Sequence, residues 1–505
     1  MMETAVPHSS VTVEEVPASN KENGHVVKPS DPKQLDAGAL FVLKSRGSWL
    51  HSGYHLTTSI VGPVLLTLPF SFTLLGWPGG VLSLTLAGLV TFYSYNLLSL
   101  VLERHAQLGH RLLRFRDMAT HTLGPRWAKY YVGPLQLAIC FGAVISGPLV
   151  GGQSLKFIYI LYNPAGTMKL YQFIVICGVI TLGLAQLPSF HSLRHMNLVS
   201  LILCVAYSAC ATIGSIYIGK QIESEQIHMA SSTENYKKKI STYIYMCCVC
   251  VYISGHHSKN IAASRSYAVN GSSIDKLFGV FNGISIIATA YACGIIPEIQ
   301  ATIAAPVKGK MLKGLSVCYC VIVTTYFMVA ISGYWAFGNQ ASVTIIASFM
   351  AQQQKPLLPT WFLLITNLFT LLQVLAVTVI YLQPTNELFE TIFADPKLGE
   401  FSIRNVVPRL ISRSLSVVVA TVLAAMLPFF GDIMAVLGAF GCIPIDFILP
   451  MVFFNLTFKP SKRSLLFWGN TFIALASSVL VVIGAIASVR QIVLDAKTYS
   501  LFSDH

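Results

Sequence analysis

Long apolar runs with few charges recur along this chain, and they constrain its fold more than any other feature. A helix needs about 20 mostly apolar residues to cross the hydrocarbon core of a bilayer. Only helices and closed barrels satisfy their own backbone in lipid, and these runs lack the alternation of barrel strands. We therefore predict an all-α integral membrane protein with eleven transmembrane helices. The predicted spans are 51–75, 79–102, 131–160, 170–187, 197–219, 277–304, 314–338, 358–383, 408–428, 431–454 and 465–489.

Composition and charge agree with a membrane protein. Hydrophobic residues make up 54% of the 505 residues and charged residues only 11%, whereas soluble proteins carry about 25% charged residues. A net charge of +13 would suggest a nucleic-acid partner in a soluble chain. Here the basic residues lie between apolar runs, so we predict a lipid bilayer and no nucleic acid as partner. Their excess in alternate loops places the N-terminus in the cytosol and the C-terminus outside the cell.

Three segments frame the predicted transmembrane domain, which covers residues 46–490. Residues 1–45 are polar and lack the early apolar core of a signal peptide, so we expect a disordered cytosolic tail. Residues 491–505 form a short extracellular tail. Residues 221–265 form an atypical extracellular loop insertion, for which we favour extra sequence from imperfect splicing over a variable loop.

The 221–265 insertion contains cysteine and histidine residues, but their spacing matches no common structural zinc site. Its apolar stretch of about 14 residues is too short for a twelfth span. Asn270 opens an Asn-Gly-Ser sequon on the predicted outer side, where it could be glycosylated. We predict no metal and no cofactor.

Two spans contain helix-breaking residues at matching positions. The first span carries Gly62-Pro63 after three hydroxyl residues, and the sixth carries Gly294 and Pro297. Proline removes an amide donor, and glycine permits close backbone approach. Each interruption alone would be an ordinary proline kink. The two spans are five apart in order, as expected for a 5+5 inverted repeat with discontinuous helices 1 and 6 and one extra helix.

Broken helices point to a transporter binding site, because their unpaired backbone groups can hold a substrate. The candidate substrate-binding residues are therefore those that flank the two interruptions. They are Thr58, Ser59, Ile60, Val61, Gly62 and Pro63 in the first span, and Thr289, Ala290, Tyr291, Ala292, Cys293 and Gly294 in the sixth.

Few ionisable residues lie in the spans, and each is a functional candidate because charge in lipid is costly. The candidates for proton coupling or gating are Glu298, Lys156, Asp446 and His55. The alternative for Glu298 is a structural pair, and for His55, one turn after His51, it is an interfacial contact. The chain has no P-loop, catalytic triad or H-E-x-x-H signature, so we predict that it is not an enzyme.

Residues from about 44 to 219 and from 266 to 490 resemble plant GABA transporters of the amino acid/auxin permease family, within the amino acid–polyamine–organocation superfamily. The region 221–265 departs from the pattern. The motifs that carry the resemblance are Gly47-Ser48-Trp49-Leu50-His51-Ser52-Gly53-Tyr54-His55, Gly62-Pro63 through Pro69-Phe70, Leu75-Gly76-Trp77, Thr91-Phe92-Tyr93-Ser94-Tyr95-Asn96, Phe115-Arg116-Asp117-Met118, Gly151-Gly152-Gln153-Ser154-Leu155-Lys156-Phe157-Ile158-Tyr159, Pro188-Ser189-Phe190-His191-Ser192-Leu193-Arg194 and Gly294-Ile295-Ile296-Pro297-Glu298-Ile299-Gln300.

The resemblance implies a proton-coupled secondary transporter that imports GABA and related ω-amino acids across the plasma membrane by alternating access. GABA or another small amino acid and protons are then the partners, and the sequence names no oligomeric partner. The substrate carboxylate would meet amides near Gly62-Pro63. Its ammonium would meet carbonyls around 289–293, with a cation–π contact from Tyr291. Glu298 and Lys156 would carry the coupling.

Two other functions stay open. One is a permease for proline, lysine, histidine or auxin, because the backbone of the breaks would bind only the carboxylate that these substrates share. The other belongs to a different class, a transport-inactive amino-acid sensor or receptor.

Overall fold

The computed structural model describes residues 47–186, 194–232, 265–303, 307, 309–350, 358–395, 397–399, 401–427 and 429–496. The tail 1–45, residues 233–264 of the predicted insertion and residues 497–505 lie outside this set. The predictions for those segments, including the zinc question and the splicing interpretation, therefore stay predictions. The described residues belong to one compact unit, Leu35–His505.

Helices make up nearly all of this unit. In chain order they are α1 (Trp49–Ile60), a 3-10 helix (Pro63–Thr67), α2 (Leu68–Gln107), α3 (Phe115–Leu123), the turns Pro125–Trp127 and Ala128–Val132, α4 (Gly133–Tyr162), α5 (Leu170–Leu184), α6 (Arg194–Ser232), α7 (Ser273–Tyr291), α8 (Ile296–Ala301), α9 (Lys310–Phe337), a 3-10 turn (Gly338–Gln340), α10 (Ile345–Met350), α11 (Thr360–Phe393), α12 (Ile403–Met426), α13 (Phe430–Val436), a π-helical segment (Leu437–Ile448), α14 (Leu449–Phe458) and α15 (Leu465–Asp495).

The all-α membrane fold is confirmed. Within the described ranges, nine helices are long and apolar enough to cross a membrane, and α5 is a shorter apolar helix. The count of eleven spans stays a prediction. One reason is that the first two predicted spans are joined, since helix runs without a loop from Pro63 to Gln107. Only Gly76, at φ 68° and ψ 176°, departs from helical geometry between them.

Two helices extend into segments that were predicted to be a loop and a tail. Helix α6 continues to Ser232, into the segment expected to be a loop, and α15 continues to Asp495, into the expected C-terminal tail. Both extensions are polar or charged at their ends. Hydropathy marks where lipid contact stops, whereas backbone hydrogen bonds can carry a helix past that point.

Polarity is distributed as lipid requires. Leu82, Val179, Ile202 and Phe472 are more than half exposed on the outer faces of the helices, whereas Arg413 is completely buried. Helix α4 packs against α11, and α9 packs against α1, α2 and α6. This arrangement places the polar side chains at the centre of the bundle.

Both predicted discontinuities are present. Helix α1 ends at Ile60, and the chain is extended at Gly62 (φ −93°, ψ −172°) before the 3-10 helix begins at Pro63. Helix α7 ends at Tyr291, and the chain turns through Gly294 at φ 63° before α8 begins. Only Gly294 uses the left-handed conformation that favours glycine. Any residue can adopt the extended conformation of Gly62, which is also the one favoured before proline.

Side chains of other helices donate to the carbonyls at the first break, where the Gly62 amide also donates to the Ile60 carbonyl (2.8 Å) and the Leu65 amide to the Gly62 carbonyl (3.2 Å). In a continuous helix the carbonyls of Ser59 to Gly62 would accept from amides four residues later, and Pro63 has none. The observed donors are Tyr381 Oη to Ser59 (2.8 Å), Tyr326 Oη to Ile60 (2.8 Å), Gln373 Nε2 to Val61 (3.2 Å) and Tyr207 Oη to Gly62 (3.0 Å). These donors fix the break relative to α6, α9 and α11.

Tyr326 joins the two breaks. Its hydroxyl lies 2.8 Å from the Ile60 carbonyl oxygen in the first break and 2.6 Å from the Ala290 carbonyl oxygen at the second. Tyr95 donates to the neighbouring carbonyl of Tyr291 at 2.8 Å. The hydroxyl of Tyr326 is therefore a direct link between the discontinuous helices.

Close helix packing depends on small residues at two contacts. A Cβ atom on Gly438, in the π-helical segment, would lie 2.0 Å from the Ser285 carbonyl oxygen of α7. A Cβ atom on Gly142 of α4 would lie 2.4 Å from the Leu437 side chain. The backbone oxygen at Ser285 cannot rotate away, so the α7 contact tolerates no side chain at Gly438.

We predict that Tyr326→Phe destabilises the protein by about 1–3 kcal/mol, because it leaves the buried Ala290 carbonyl without its donor and the Ile60 carbonyl with only the Gly62 amide. The melting temperature of the purified protein in detergent measures this effect. Tyr319→Phe is the matched control on the same helix, since the Tyr319 hydroxyl has no hydrogen-bond partner among the described residues. Equal melting temperatures for the two variants would contradict the prediction.

We also predict that Gly438→Ala lowers stability by about 1–3 kcal/mol, the usual effect of overpacking a tight contact. Gly469→Ala in α15 is the control, because a Cβ atom there meets nothing within 4 Å. Thermal unfolding monitored by size-exclusion chromatography compares the two. If Gly438→Ala is as stable as the control, the π-helical segment and α7 separate at little cost in stability.

Candidate functional site

A small cavity lies between the two breaks. Its volume is about 50 Å³, and we call it the central cavity. It is lined by Ser59, Ile60, Gly62, Pro63, Val64, Ile139, Ala143, Ser146, Thr289, Ala292, Val377, Tyr381, Met434, Leu437 and Cys442. Residues from both discontinuous helices thus face one space, as the sequence predicted for the two interruptions together.

Half of the predicted substrate-binding residues line this cavity, and the other half do not. Ser59, Ile60, Gly62, Pro63, Thr289 and Ala292 are lining residues, whereas Thr58, Val61, Ala290, Tyr291, Cys293 and Gly294 are not. Thr58 donates instead to the Asn197 carbonyl oxygen at 3.1 Å. The ring of Tyr291 packs edge-on against Tyr326, with 5.0 Å between centroids. The cation–π contact expected from Tyr291 is therefore not part of this arrangement.

The backbone groups of the breaks are more occupied than the sequence suggested. The carbonyls of Ala290 and Tyr291 accept from tyrosine hydroxyls, and that of Thr289 accepts from the Ala292 amide at 3.2 Å. By contrast, the Val64 amide and the Ala292 carbonyl have no hydrogen-bond partner among the described residues, and both residues line the cavity. These two groups are the backbone donor and acceptor left for a ligand.

Nine lining residues were not predicted from the sequence. They come from the start of the helix after the first break, from α4, from α11 and from the segment 434–442. Ser146 is followed by Gly147-Pro148, a pair like Gly62-Pro63 that could have indicated this part of α4. The aliphatic lining residues carry no such signal, because their pattern is that of any buried helix face.

Glu298 is buried directly after the second break. Its Oε1 accepts from Gln136 Nε2 at 2.8 Å and from the Phe115 amide at 3.0 Å. Gln136 Nε2 also lies 2.9 Å from the Gly294 carbonyl oxygen, so one amide connects the carboxylate to the break. The other carboxylate oxygen, Oε2, has no hydrogen-bond partner among the described residues. Glu298 can therefore accept a proton or a cationic donor at Oε2.

Asp446 is the second buried carboxylate at this break. It lies in the π-helical segment, and its Oδ1 accepts from the Gly294 amide at 3.2 Å. Its Oδ2 has no hydrogen-bond partner within the described part of the chain. Two carboxylates therefore flank Gly294, with Glu298 connected to its carbonyl side and Asp446 bound to its amide.

The remaining predicted residues lie elsewhere. Lys156 is half-buried on α4, ten residues beyond Ser146, which corresponds to about 15 Å along a helix. His55 is buried on α1 and stacks on His51, with ring centroids 6.3 Å apart. Neither residue lines the central cavity. Asn270 is exposed just before α7, which leaves its side chain accessible.

A larger cavity adjoins the central one on the Glu298 side, and we call it the charged cavity. Its volume is about 410 Å³. Its charged lining residues are Arg114, Arg116, Asp117, Lys129, Glu298 and Glu387. Glu387 pairs with Arg114 (2.6 Å) and with Arg116 (2.9 Å), which ties the segment before and within α3 to α11.

The opposite end of α7 is closed by aromatic rings. Tyr267, just before this helix, packs against Trp77 (5.8 Å between centroids) and Tyr334 (5.5 Å). Trp77 and Tyr334 are themselves 4.8 Å apart. The two ends of the bundle therefore differ, with packed rings at one end and a charged cavity at the other.

Comparison with known sequences agrees with this arrangement. Residues 45–494 match the model of the family described as transmembrane amino acid transporter protein. The chain is 54% identical to GABA transporter 1 of Arabidopsis thaliana, over 93% of this chain and 96% of that one. It is 29% identical to lysine histidine transporter-like 1 of the same plant, over 93% and 94% of the two chains.

Solved structures show the fold. A sodium-coupled sialic acid symporter in a substrate-bound outward-open state has a TM-score of 0.51 at 10% identity, over 93% of each chain. MhsT in complex with L-phenylalanine has a TM-score of 0.53 at 8% identity, over 88% of this chain and 99% of that one. Both are LeuT-fold transporters, a fold built from inverted repeats with discontinuous helices. With its two broken helices meeting at one cavity, the chain belongs to the transmembrane amino acid transporter family.

Proposed function

We propose that this protein imports GABA and related ω-amino acids by proton-coupled alternating access. The observation that carries the substrate class is the 54% identity to GABA transporter 1 over nearly the whole of both chains. The central cavity between the two broken helices supports transport rather than catalysis, because it offers backbone groups and hydroxyls to a ligand. We accordingly assign the chain no enzymatic reaction.

In this proposal the substrate occupies the central cavity. The Val64 amide, at the positive end of the helix that begins at Pro63, holds the carboxylate. The Ala292 carbonyl and the hydroxyl oxygens of Ser146 and Thr289 receive the ammonium. The cavity of about 50 Å³ is closed down around this position, so substrate entry requires the helices to separate.

Proton coupling is assigned to Glu298. Its free Oε2 is a place for a proton, and Gln136 links its other oxygen to the second break. The other charged groups that line the charged cavity are Glu387 with its partners Arg114 and Arg116, and Asp117 and Lys129. Asp446, on the other side of Gly294, is the alternative coupling residue.

The proposed location is the plasma membrane, with the N-terminus cytosolic and the C-terminus outside. The charged cavity then opens towards the cytosol, and the aromatic rings close the outer side. The basic residues of the cytosolic loops support this orientation.

The other functions differ in what they transport or signal. A permease for basic amino acids is supported by the 29% identity to lysine histidine transporter-like 1, and a sensor would bind ligand without transport. Uptake of labelled GABA by permease-deficient cells, in competition with β-alanine, proline, lysine and indole acetate, separates these functions. Binding without uptake would favour the sensor.

We predict that Gly62→Leu abolishes GABA uptake, because its side chain enters the central cavity. Gly62→Ala is the matched control: its Cβ would contact only Val377, at 3.9 Å, and the extended backbone accepts alanine. Uptake is measured at equal surface expression. If the two variants differ in uptake rate by less than about twofold, which corresponds to under about 0.5 kcal/mol, the central cavity is excluded as the substrate site.

We predict that Glu298→Gln flattens the pH dependence of uptake, because glutamine keeps the hydrogen bonds of Oε1 but cannot exchange a proton. The measurement is the ratio of uptake at about pH 5 to that at about pH 7. Asp446→Asn is compared in parallel. A wild-type ratio in Glu298→Gln together with a flat profile in Asp446→Asn would transfer the coupling role to Asp446.

A further inference from the structure

We infer that the charged cavity is a second binding site for the transported ω-amino acid, occupied on the path between the central cavity and the cytosol. This inference rests on the proposed function for the identity of the ligand. It assigns the substrate ammonium to Glu298 Oε2. The substrate carboxylate is assigned to Lys129, which is exposed and marks what we call the mouth of the charged cavity.

The first support is the position and size of the cavity. At about 410 Å³ it is much larger than the central cavity. Gln136 lines it, and Ile139, three residues later on the same helix, lines the central cavity. Three residues correspond to about 4.5 Å along a helix, so the two cavities lie close together along α4.

The second support is the unused oxygen of Glu298. Glu298 is only 3% exposed, and it lines the charged cavity. Oε1 already accepts two hydrogen bonds, whereas Oε2 accepts none from the described residues. A buried carboxylate oxygen without a partner is unfavourable, and an alkylammonium group with three N–H donors would satisfy it.

The third support is the positive charge of Lys129, which lies seven residues before Gln136 on the helical run Pro125–Tyr162 and so about 10 Å from it along the axis. The guanidinium groups of Arg114 and Arg116 are held by Glu387, and Arg114 also lies 3.9 Å from Asp117, so two carboxylates compensate the two positive charges. Lys129 is exposed and lines the cavity, with its ammonium 5.4 Å from the ring centre of Tyr130. It supplies a positive charge at the mouth, away from the buried Glu298.

Separated charges of this kind suit a zwitterion whose ammonium and carboxylate are several bonds apart. In an ω-amino acid both ends can be met at once. In an α-amino acid the two groups share one carbon, so a molecule bound to Glu298 through its ammonium cannot extend its carboxylate to the mouth. The charged cavity therefore selects substrates by the distance between their ammonium and carboxylate groups. The helix N-terminus in the central cavity, by contrast, binds any carboxylate.

The experiment measures binding of tritiated GABA to the purified full-length chain in nanodiscs, in the Gly62→Leu background that blocks the central cavity. We expect a saturable component to remain. Adding Lys129→Gln should weaken it about two- to fivefold, as for a partly exposed charge pair. Adding Glu298→Gln should weaken it about tenfold or more, as for a buried one. Arg126→Gln, on the same helical segment but outside the cavity lining, should leave it unchanged.

The isomer α-aminobutyrate is the matched ligand, and it should compete with GABA for this component at least about fivefold more weakly, since it loses the contact at the mouth. The inference is overturned if Gly62→Leu binds no GABA, if Lys129→Gln and Arg126→Gln behave alike, or if both isomers compete equally. Failure of the proposed function is distinct, because the wild-type chain would then take up no ω-amino acid.

Efflux from preloaded cells supplies a second measurement that needs no Gly62 variant. Lys129→Gln should raise the internal GABA concentration for half-maximal efflux about two- to fivefold and change the external KM of uptake less, because the external side binds substrate before it reaches Lys129. Arg126→Gln should alter neither value. An equal change in both constants for Lys129→Gln would place its effect outside the charged cavity and overturn the inference.

Discussion

The hydrogen bond between the Tyr326 hydroxyl and the carbonyls of Ile60 and Ala290 is the contact on which the centre of this protein depends. A broken helix inside a membrane leaves carbonyl groups that lipid cannot satisfy. Tyr326 donates to one carbonyl at each break. The neighbouring carbonyls accept hydrogen bonds from Tyr381, Tyr207, Gln373 and Tyr95. Because these donors come from α2, α6, α9 and α11, the breaks can exist only where those helices surround them.

This arrangement leaves few backbone groups for a ligand. The Val64 amide and the Ala292 carbonyl face the central cavity without a partner among the described residues, whereas most of the break is already paired. A transporter benefits from such a division, because the paired groups hold the interruption in shape while the unpaired ones can exchange solvent for substrate. The tyrosine hydroxyls thereby separate the structural role of the breaks from their binding role.

The carboxylates are arranged around the same centre. Glu298 and Asp446 flank Gly294, and Glu387 and Glu390 on α11 are paired with arginines. The pairs connect α11 to the segment around α3 and to α12, all at the end of the bundle where the charged cavity lies. In the proposed alternating access, opening of that end would change these pairs and the surroundings of Glu298 together, which would connect helix movement to the occupancy of a carboxylate.

The sequence by itself determined the membrane fold and the position of both breaks. Runs of apolar residues long enough to cross a bilayer, and the glycine and proline residues that interrupt them, act locally and are visible in a short window of the chain. It also singled out Glu298 and Asp446, because ionisable residues are rare in such runs.

Only the tertiary structure decided which groups remain free for a ligand. From the sequence, Tyr291 was the aromatic residue predicted to contact the substrate. In the structure its ring packs against Tyr326, and Tyr381 from a distant helix lines the central cavity. Lys156 satisfied the same criterion as Glu298, yet Lys156 lines neither cavity, whereas Glu298 lines the charged cavity. Pairing between helices far apart in the chain depends on their packing, and no local pattern records which hydroxyl will meet which carbonyl.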